Sequence, residues 1–361
     1  NKIQTNDTNN VAIDNALKLK GYTASQRDAL TASAGDVVYN SDDGTIDFYN
    51  GTSWNATSGS TFTFSVDYLV VAGGGGGATP GTAGGDGFSA GGGGGGGGLR
   101  SSVTTSGGGN SAESVLSGVT MGTNYTVTVG AGGADATDGN NSTFSTVTSI
   151  YGGAGRGALS GTGNTGGSGG GGSGSGTGSN NTARNGGAGT ANQGFNGYKG
   201  STNHYAKGGG GGGAGSGASA VTDHQTNGGA GVAIAILSVA NASAGSIGEV
   251  SGSDVYYAGG GGGAAGIGPG NGGLGGGGNG SDHGTSRTEA GTANTGGGGG
   301  GGSKKPGVTS VGKAGGSGVV IVKYPSDKTI SVGAGLTSST YTEGSYKITA
   351  FTAGTGDVSW S

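Results

Sequence analysis

Residues 91–98 are eight consecutive glycines, and further glycine tracts recur at 73–77, 208–213, 259–263 and 296–302, with a serine-interrupted one at 166–172. Such tracts bring no side chains to a core. The fold must therefore treat them as slack or find a use for bare backbone. A glycine chain can take up the left-handed threefold helix of the polyproline II class, rising about 3.1 Å per residue with every N–H and C=O directed outward. Those groups need partners. Without a Cβ, several such helices can lie close enough to bond to one another. One helix cannot stay ordered alone, because fixing a residue costs about 1–2 kcal/mol while one net hydrogen bond returns about 0.5–1.5 kcal/mol. Many helices held side by side can.

Flexible linkers fit the same composition. What favours order is the distribution of apolar residues, which are gathered into strand-like blocks at the tract ends: 62–72, 124–131, 142–151, 231–240, 254–258, 318–325 and 346–351. The block YTVTV alternates as a half-buried strand does, whereas VVIV and AIAIL predict strands buried on both faces. The fold class is all-β: a β-sandwich or jelly-roll-like framework carrying an inserted polyglycine II bundle, over residues 59–361.

Residues 1–58 differ in composition and predict a small association segment of helix plus hairpin. Ser25 and Asp28 predict a capping box and Gly35 a helix stop. The turn at Ser41-Asp42-Asp43-Gly44 predicts the hairpin, with Trp54, Tyr39 and Tyr49 supplying most of its core. So small a unit argues for packing against neighbouring chains. A chain starting at Asn1 is expected to be processed, truncated or part of a longer polypeptide.

Charge and motifs exclude more than they propose. Sixteen Lys+Arg against twenty Asp+Glu, thinly spread with no basic cluster, argue against a nucleic-acid partner. The longest apolar run, VAIAIL at 232–237, is far short of the about 20 residues of a membrane helix. With no cysteine there are no disulfides or thiolate metal sites. Matches to GxGxxG abound but none opens an amphipathic helix. The GxSxG around Ser168 has no strand before it, and 307–314 resembles a phosphate loop except that Ala314 stands where a hydroxyl is needed and a strand follows. No catalytic residue, cofactor or metal is assigned, and the chain is not expected to be an enzyme.

The polar segments between tracts hold the unusual side chains. Arg184, Phe195, Tyr198, Lys199, His204, Tyr205, His224, Asp282, His283 and Arg287 are expected in loops at the ends of a rigid bundle, where recognition residues are commonly placed. Aromatic and arginine residues there suit a sugar or protein surface. Solvated connectors without a partner are the alternative.

VDYLVVAGGGGG, NYTVTVGAGG, NSTFSTVTSIYGG, GGSGVVIVKYP and YKITAFTAGTGDVSW, in that order over residues 61–361, resemble the glycine-rich domain of bacteriophage tail-fibre and adhesin proteins, particularly those of phages infecting marine cyanobacteria. QRDALTASAGDVVYNSDDGTIDFYNGTSW resembles a small repeat that precedes distal domains in such fibres. The resemblance implies a homotrimeric, non-enzymatic virion subunit, associated with other virion proteins, whose distal domain contacts a host-surface glycan or protein without membrane insertion. It carries over no binding residue. A structural filament or cell-surface appendage with no ligand is the alternative of a different class.

Overall fold

Alternating apolar residues build the sheets, and the glycine tracts begin where those sheets stop. The computed structural model describes residues 19–57, 63–81, 88–157, 161–175, 184–201, 206–222, 225–266, 268–282 and 287–361. The chain divides into two units, residues 1–63 and 64–361.

In the first unit, Gly21–Tyr22 pairs parallel to Val37–Asn40, which continues antiparallel to Thr45–Tyr49 and then Trp54–Ala56. The predicted hairpin is present. Its turn is fixed by Gly44 at φ 70° and by Asn40, whose side chain donates to Asp43 and accepts from the Asp42 N–H. The helix differs in register from the sequence reading. It spans Ala24–Asp28, and its capping box is Thr23 with Gln26, because Thr23 holds the extended conformation that an N-cap needs while Ser25 is already helical. Gly35, at φ 93°, turns the chain into Val37 and does not end the helix. The core differs too. Tyr39 is 41% exposed, and the buried residues among those described are Val38, Asn40 and Asp47. Strand alternation puts Val37 and Tyr39 on the opposite face, paired with Phe48 and Ile46. Asp47 is held by Arg27 (2.5 Å) and the Thr45 hydroxyl (2.7 Å); burial opposes its charge, but these bonds keep its pKa below the usual carboxylate range.

The second unit is organised by one long strand, Tyr346–Trp360. Its first half pairs with Val319–Pro325 and Leu336–Glu343, its second with Tyr125–Thr128 and Ile330–Val332. Gly354, at φ 97°, sits at the change of partners. The sheet continues through Val319–Pro325 to Thr63–Val71 and Leu99–Ser101, and from Tyr125–Thr128 to Ser142–Phe144 and Val147–Ser149. It curls over a core of Val66, Tyr68, Val70, Val320, Val322, Phe351, Val127, Phe144 and Trp360. The Trp360 ring meets Phe64, Tyr125 and Tyr324 edge-on at 5.6–5.7 Å. Period-two alternation sends Leu69, Val71, Val319, Ile321 and Ile348 to the other face, where Val232, Ile234, Ile236, Ile247 and Tyr257 cover them. VVIV is thus buried on both faces as predicted. AIAIL is not a strand: only Val232–Ala233 pairs, and the chain then turns into a helix, Val239–Gly245, capped by Ser238.

The glycine tracts form a lattice of hydrogen-bonded rods. None of the glycines 73–77, 91–98, 208–213 or 259–263 takes a positive φ, and bonding partners repeat every third residue, which together define the left-handed threefold helix. Rod 91–98 is central. It bonds to 72–78 (through Gly98, Gly95 and Gly92), 150–156, 296–302, 209–212, 168–171 and 261–264, all at 2.7–3.2 Å. Those six rods also bond to one another in a closed ring, for example Gly299 to Gly75, Gly152 to Gly73, Gly153 to Ser168 and Gly211 to Gly261. Tracts 91–98 and 208–213 are in direct contact: Gly93 and Gly96 donate to Gly209 and Gly212 at 2.9 Å. Glycine is required because the packing is backbone on backbone. A Cβ on Gly95 would strike the Ser168 carbonyl oxygen and stand 2.8 Å from the carbonyl group of Gly169.

Candidate functional site

Strands feed rods directly: Thr63–Val71 leads into 72–78, Val147–Ser149 into 150–156 and Asp254–Tyr257 into 258–264. The β framework therefore fixes one end of the bundle. At the far end, Ala78, Gly91, Arg156, Gly208, Ala264 and Gly302 come together, joined by bonds such as Gly91 to Gly302, Gly92 to Arg156 and Gly208 to Ala264. Short antiparallel pieces cross this end: Ser89–Ala90 lies between Gly174–Ser175 and Ser303–Lys305, which pairs with Val308–Thr309. Single bridges link Ser201 to Lys207, Lys207 to Ala265 and Ala265 to Asp282.

The outer rods obey a rule that the inner ones hide. Inner rods are almost uninterrupted glycine, whereas outer rods carry a side chain at every third position: Ala131 and Ala134, Asn185 and Ala188, Asn196 and Lys199, Asn227 and Ala230, Asn271 and Leu274. With three residues per turn these share one side of the rod, and all are exposed or half-buried. Asparagine there caps backbone donors of a neighbouring segment. Asn227 Oδ1 accepts from the Asn271 N–H, Asn279 Oδ1 from Gly272 and Asn196 Oδ1 from Gly189, at 2.8–2.9 Å.

The candidate residues fall into two groups. Arg184, half-buried, begins outer rod 184–190, and its carbonyl accepts from the Gly200 N–H. Phe195, Tyr198 and Lys199 lie in the body of rod 194–200 and not in a loop: the Tyr198 N–H donates to Gly210 and its carbonyl accepts from Gly172. Asp282 and Arg287 belong to the second group, separated from the first by rods 208–213, 258–264 and 277–281. Asp282 is half-buried at the far end, its carbonyl accepting from the Ser303 hydroxyl, and Arg287 is exposed at the start of rod 287–292. His204, Tyr205, His224 and His283 lie outside the described residues. Ser168, of the formal GxSxG, is fully buried inside a rod; its backbone bonds to Gly96 and Gly153, and its hydroxyl has no hydrogen-bond partner among the described residues. Residues 312–314 start an outer rod, with the Lys313 carbonyl accepting from Gly77.

Charge is polarised along the bundle, although the sequence reads as evenly spread. Arg156, Arg184, Lys199, Lys207, Arg287, Lys304, Lys305 and Lys313 all lie toward the far end, which is half of the chain's sixteen Lys and Arg. Among the described residues only Asp135, Asp138, Asp282 and Glu289 oppose them there. Among the described residues the far end therefore carries an excess of positive charge, in a chain whose net charge is −4. At the framework end the half-buried Glu113 is already engaged by Arg100 (2.6 Å), the Tyr68 hydroxyl (3.0 Å) and the Ser106 hydroxyl (3.1 Å). Burial opposes its charge, but these contacts hold its pKa below the ordinary value, while burial and Glu113 raise that of Tyr68 to about 12.

A family model described as a glycine-rich domain matches residues 45–325. The chain belongs to the glycine-rich domain family. No curated protein and no solved structure matches it. For this glycine-rich domain protein no group of three or more His, Cys, Asp or Glu is placed to hold a metal among the described residues, and no described helix is long and apolar enough to cross a membrane.

Proposed function

We propose that this glycine-rich domain protein is a non-enzymatic phage tail-fibre subunit, located in the virion, that contacts the host cell surface through the far end of its rod bundle. The observation that carries the reading is the division of labour along the rods. One end is fixed by the hydrophobic framework, and the other gathers half of the chain's cationic side chains on backbone tied down by the lattice. A rigid platform of this kind loses little entropy when a partner binds.

Self-association belongs to the first unit in this reading. Val37, Tyr39, Ile46 and Phe48 form two cross-strand pairs on one sheet face and are 40–46% exposed, which supports burial against other copies, three in the fibre reading. The same face also favours the second reading, a structural filament subunit without a ligand. Adsorption of the fluorescently labelled chain to bacterial cells separates the two. The fibre reading expects saturable adsorption weakened by Arg287→Met together with Lys305→Met; failure of the intact chain to adsorb to any cell tested would leave the filament.

A further inference from the structure

The outermost pair of rods, 184–190 and 194–200, runs antiparallel, joined by Gly197 to Gly187 (3.0 Å) and Gly200 to Arg184 (2.9 Å). Between their outward faces is a shallow groove of about 390 Å³, lined by Asn185, Ala188, Asn196, Tyr198 and Lys199. We propose that this groove is a binding site for an acidic saccharide, a sugar bearing a carboxylate or a comparable anionic substituent; the proposal rests on the reading of the far end as the host-contacting surface.

Each part of that chemistry is present on a fixed floor. Tyr198 is half-buried and presents an aromatic ring, and its backbone is pinned to Gly210 and Gly172. Aromatic rings of this kind pack against the apolar face of a sugar while the phenol stays in hydrogen-bonding reach. Asn185 makes no side-chain hydrogen bond among the described residues, and Asn196 uses only its Oδ1, on Gly189, so both amide NH₂ groups remain for hydroxyls. Lys199 is exposed with no ion-pair partner among the described residues, and Arg184 joins the same rods at the far end. A neutral ligand leaves this ammonium to water, whereas an anionic one adds an ion pair to it. The cationic far end adds long-range attraction for the same sign of ligand. An extended peptide is the other class that such a groove accommodates; its carbonyls can accept from the amide pair, but only an acidic peptide would meet the charge.

The test is calorimetric titration of the full chain with short oligogalacturonate, with its neutral methyl ester, and with a proline-rich peptide. The expected result is saturable binding of the acid form, absent for the ester and the peptide, and weakened as salt is raised from about 50 to about 300 mM. Lys199→Met should lower affinity about fivefold and Tyr198→Ala about tenfold, with the melting temperature unchanged. Equal binding of the ester, preference for the peptide, or unaltered affinity in both variants would overturn the proposal. Cell adsorption is measured in parallel. If Tyr198→Ala and Lys199→Met adsorb normally while the Arg287 and Lys305 variant does not, the groove is refuted and the far-end reading stands. If no form adsorbs, the far-end reading fails and the titration alone decides the groove.

Discussion

Replacing Gly95 with alanine tests whether backbone hydrogen bonds really take the place of a core. The new Cβ points at the rod 168–171, into the Ser168 carbonyl oxygen and 2.8 Å from the carbon and oxygen of the Gly169 carbonyl. An ordinary contact needs about 3.5 Å, so the two rods must part by at least about 0.7 Å. That stretches the bonds from Ser168 to Gly96 (3.2 Å) and Gly171 to Gly93 (2.8 Å) beyond useful length. Neither rod can yield freely, because each is bonded to other neighbours in the closed ring. Two bonds with buried groups left unsatisfied cost about 1–3 kcal/mol apiece. Alanine returns about 0.4–1 kcal/mol by restricting the unfolded chain. The net expectation is a loss of about 1–5.5 kcal/mol, or roughly 2–11 °C in Tm at about 2 °C per kcal/mol for a unit of this size. Scanning calorimetry on Gly95→Ala beside Ala188→Ser, a change at an outward third position, gives the reading. A Gly95→Ala protein that melts with the wild type, or an Ala188→Ser protein that is equally damaged, refutes the lattice argument.

Three further outcomes are expected. Amide hydrogen exchange should show the N–H groups of 91–98 opening only with global unfolding, while those of Ala188 and Lys199, which have no protein acceptor, exchange quickly; mass spectrometry of peptic fragments resolves the difference. Asp47→Asn should destabilise the first unit by about 1–2 kcal/mol, since the neutral amide weakens the bonds to Arg27 and the Thr45 hydroxyl while Arg27 keeps its exposed partner Asp28, and urea denaturation followed by Trp54 fluorescence reports it. Glu113 has a depressed folded-state pKa, so its contribution is complete above the unfolded value near 4.5 and is lost as pH falls through the lower folded value. Thermal stability should therefore drop below about pH 4.5, and Glu113→Gln should lower the neutral-pH Tm by the equivalent of about 2 kcal/mol while flattening that acid limb.

Much of the framework is legible in the sequence because period-two alternation and β-branched runs leave few choices, as Thr63–Val71 and Val319–Pro325 show. The glycine tracts are legible for the opposite reason, since only backbone bonding can organise them. Errors arise where context overrides pattern. AIAIL has the composition of a buried strand, but Ser238 caps a helix immediately after it and its apolar residues cover a sheet instead of joining one. The segment TAGTGDVSW has weak strand propensity, yet partners on both sides extend Tyr346–Trp360 through it. The groove residue Asn185 had a signal available. NGGAG at 185–189 and 227–231, with NGGLG at 271–275, spells out the three-residue period of an outer rod, but it is camouflaged by the surrounding glycine. The polarised charge had none, because it emerges only when antiparallel rods fold distant residues to one end.

The rods also set how the molecule responds to temperature. Burial of apolar surface weakens on cooling and gives unfolding its large positive heat capacity, whereas exposing peptide groups lowers that heat capacity. A bundle such as that around 91–98 exchanges peptide–peptide bonds for peptide–water bonds when it melts and exposes almost no hydrocarbon. Its unfolding therefore subtracts from the heat-capacity change that the framework contributes, and the end farthest from the hydrophobic framework is held by the part of the fold least sensitive to cold.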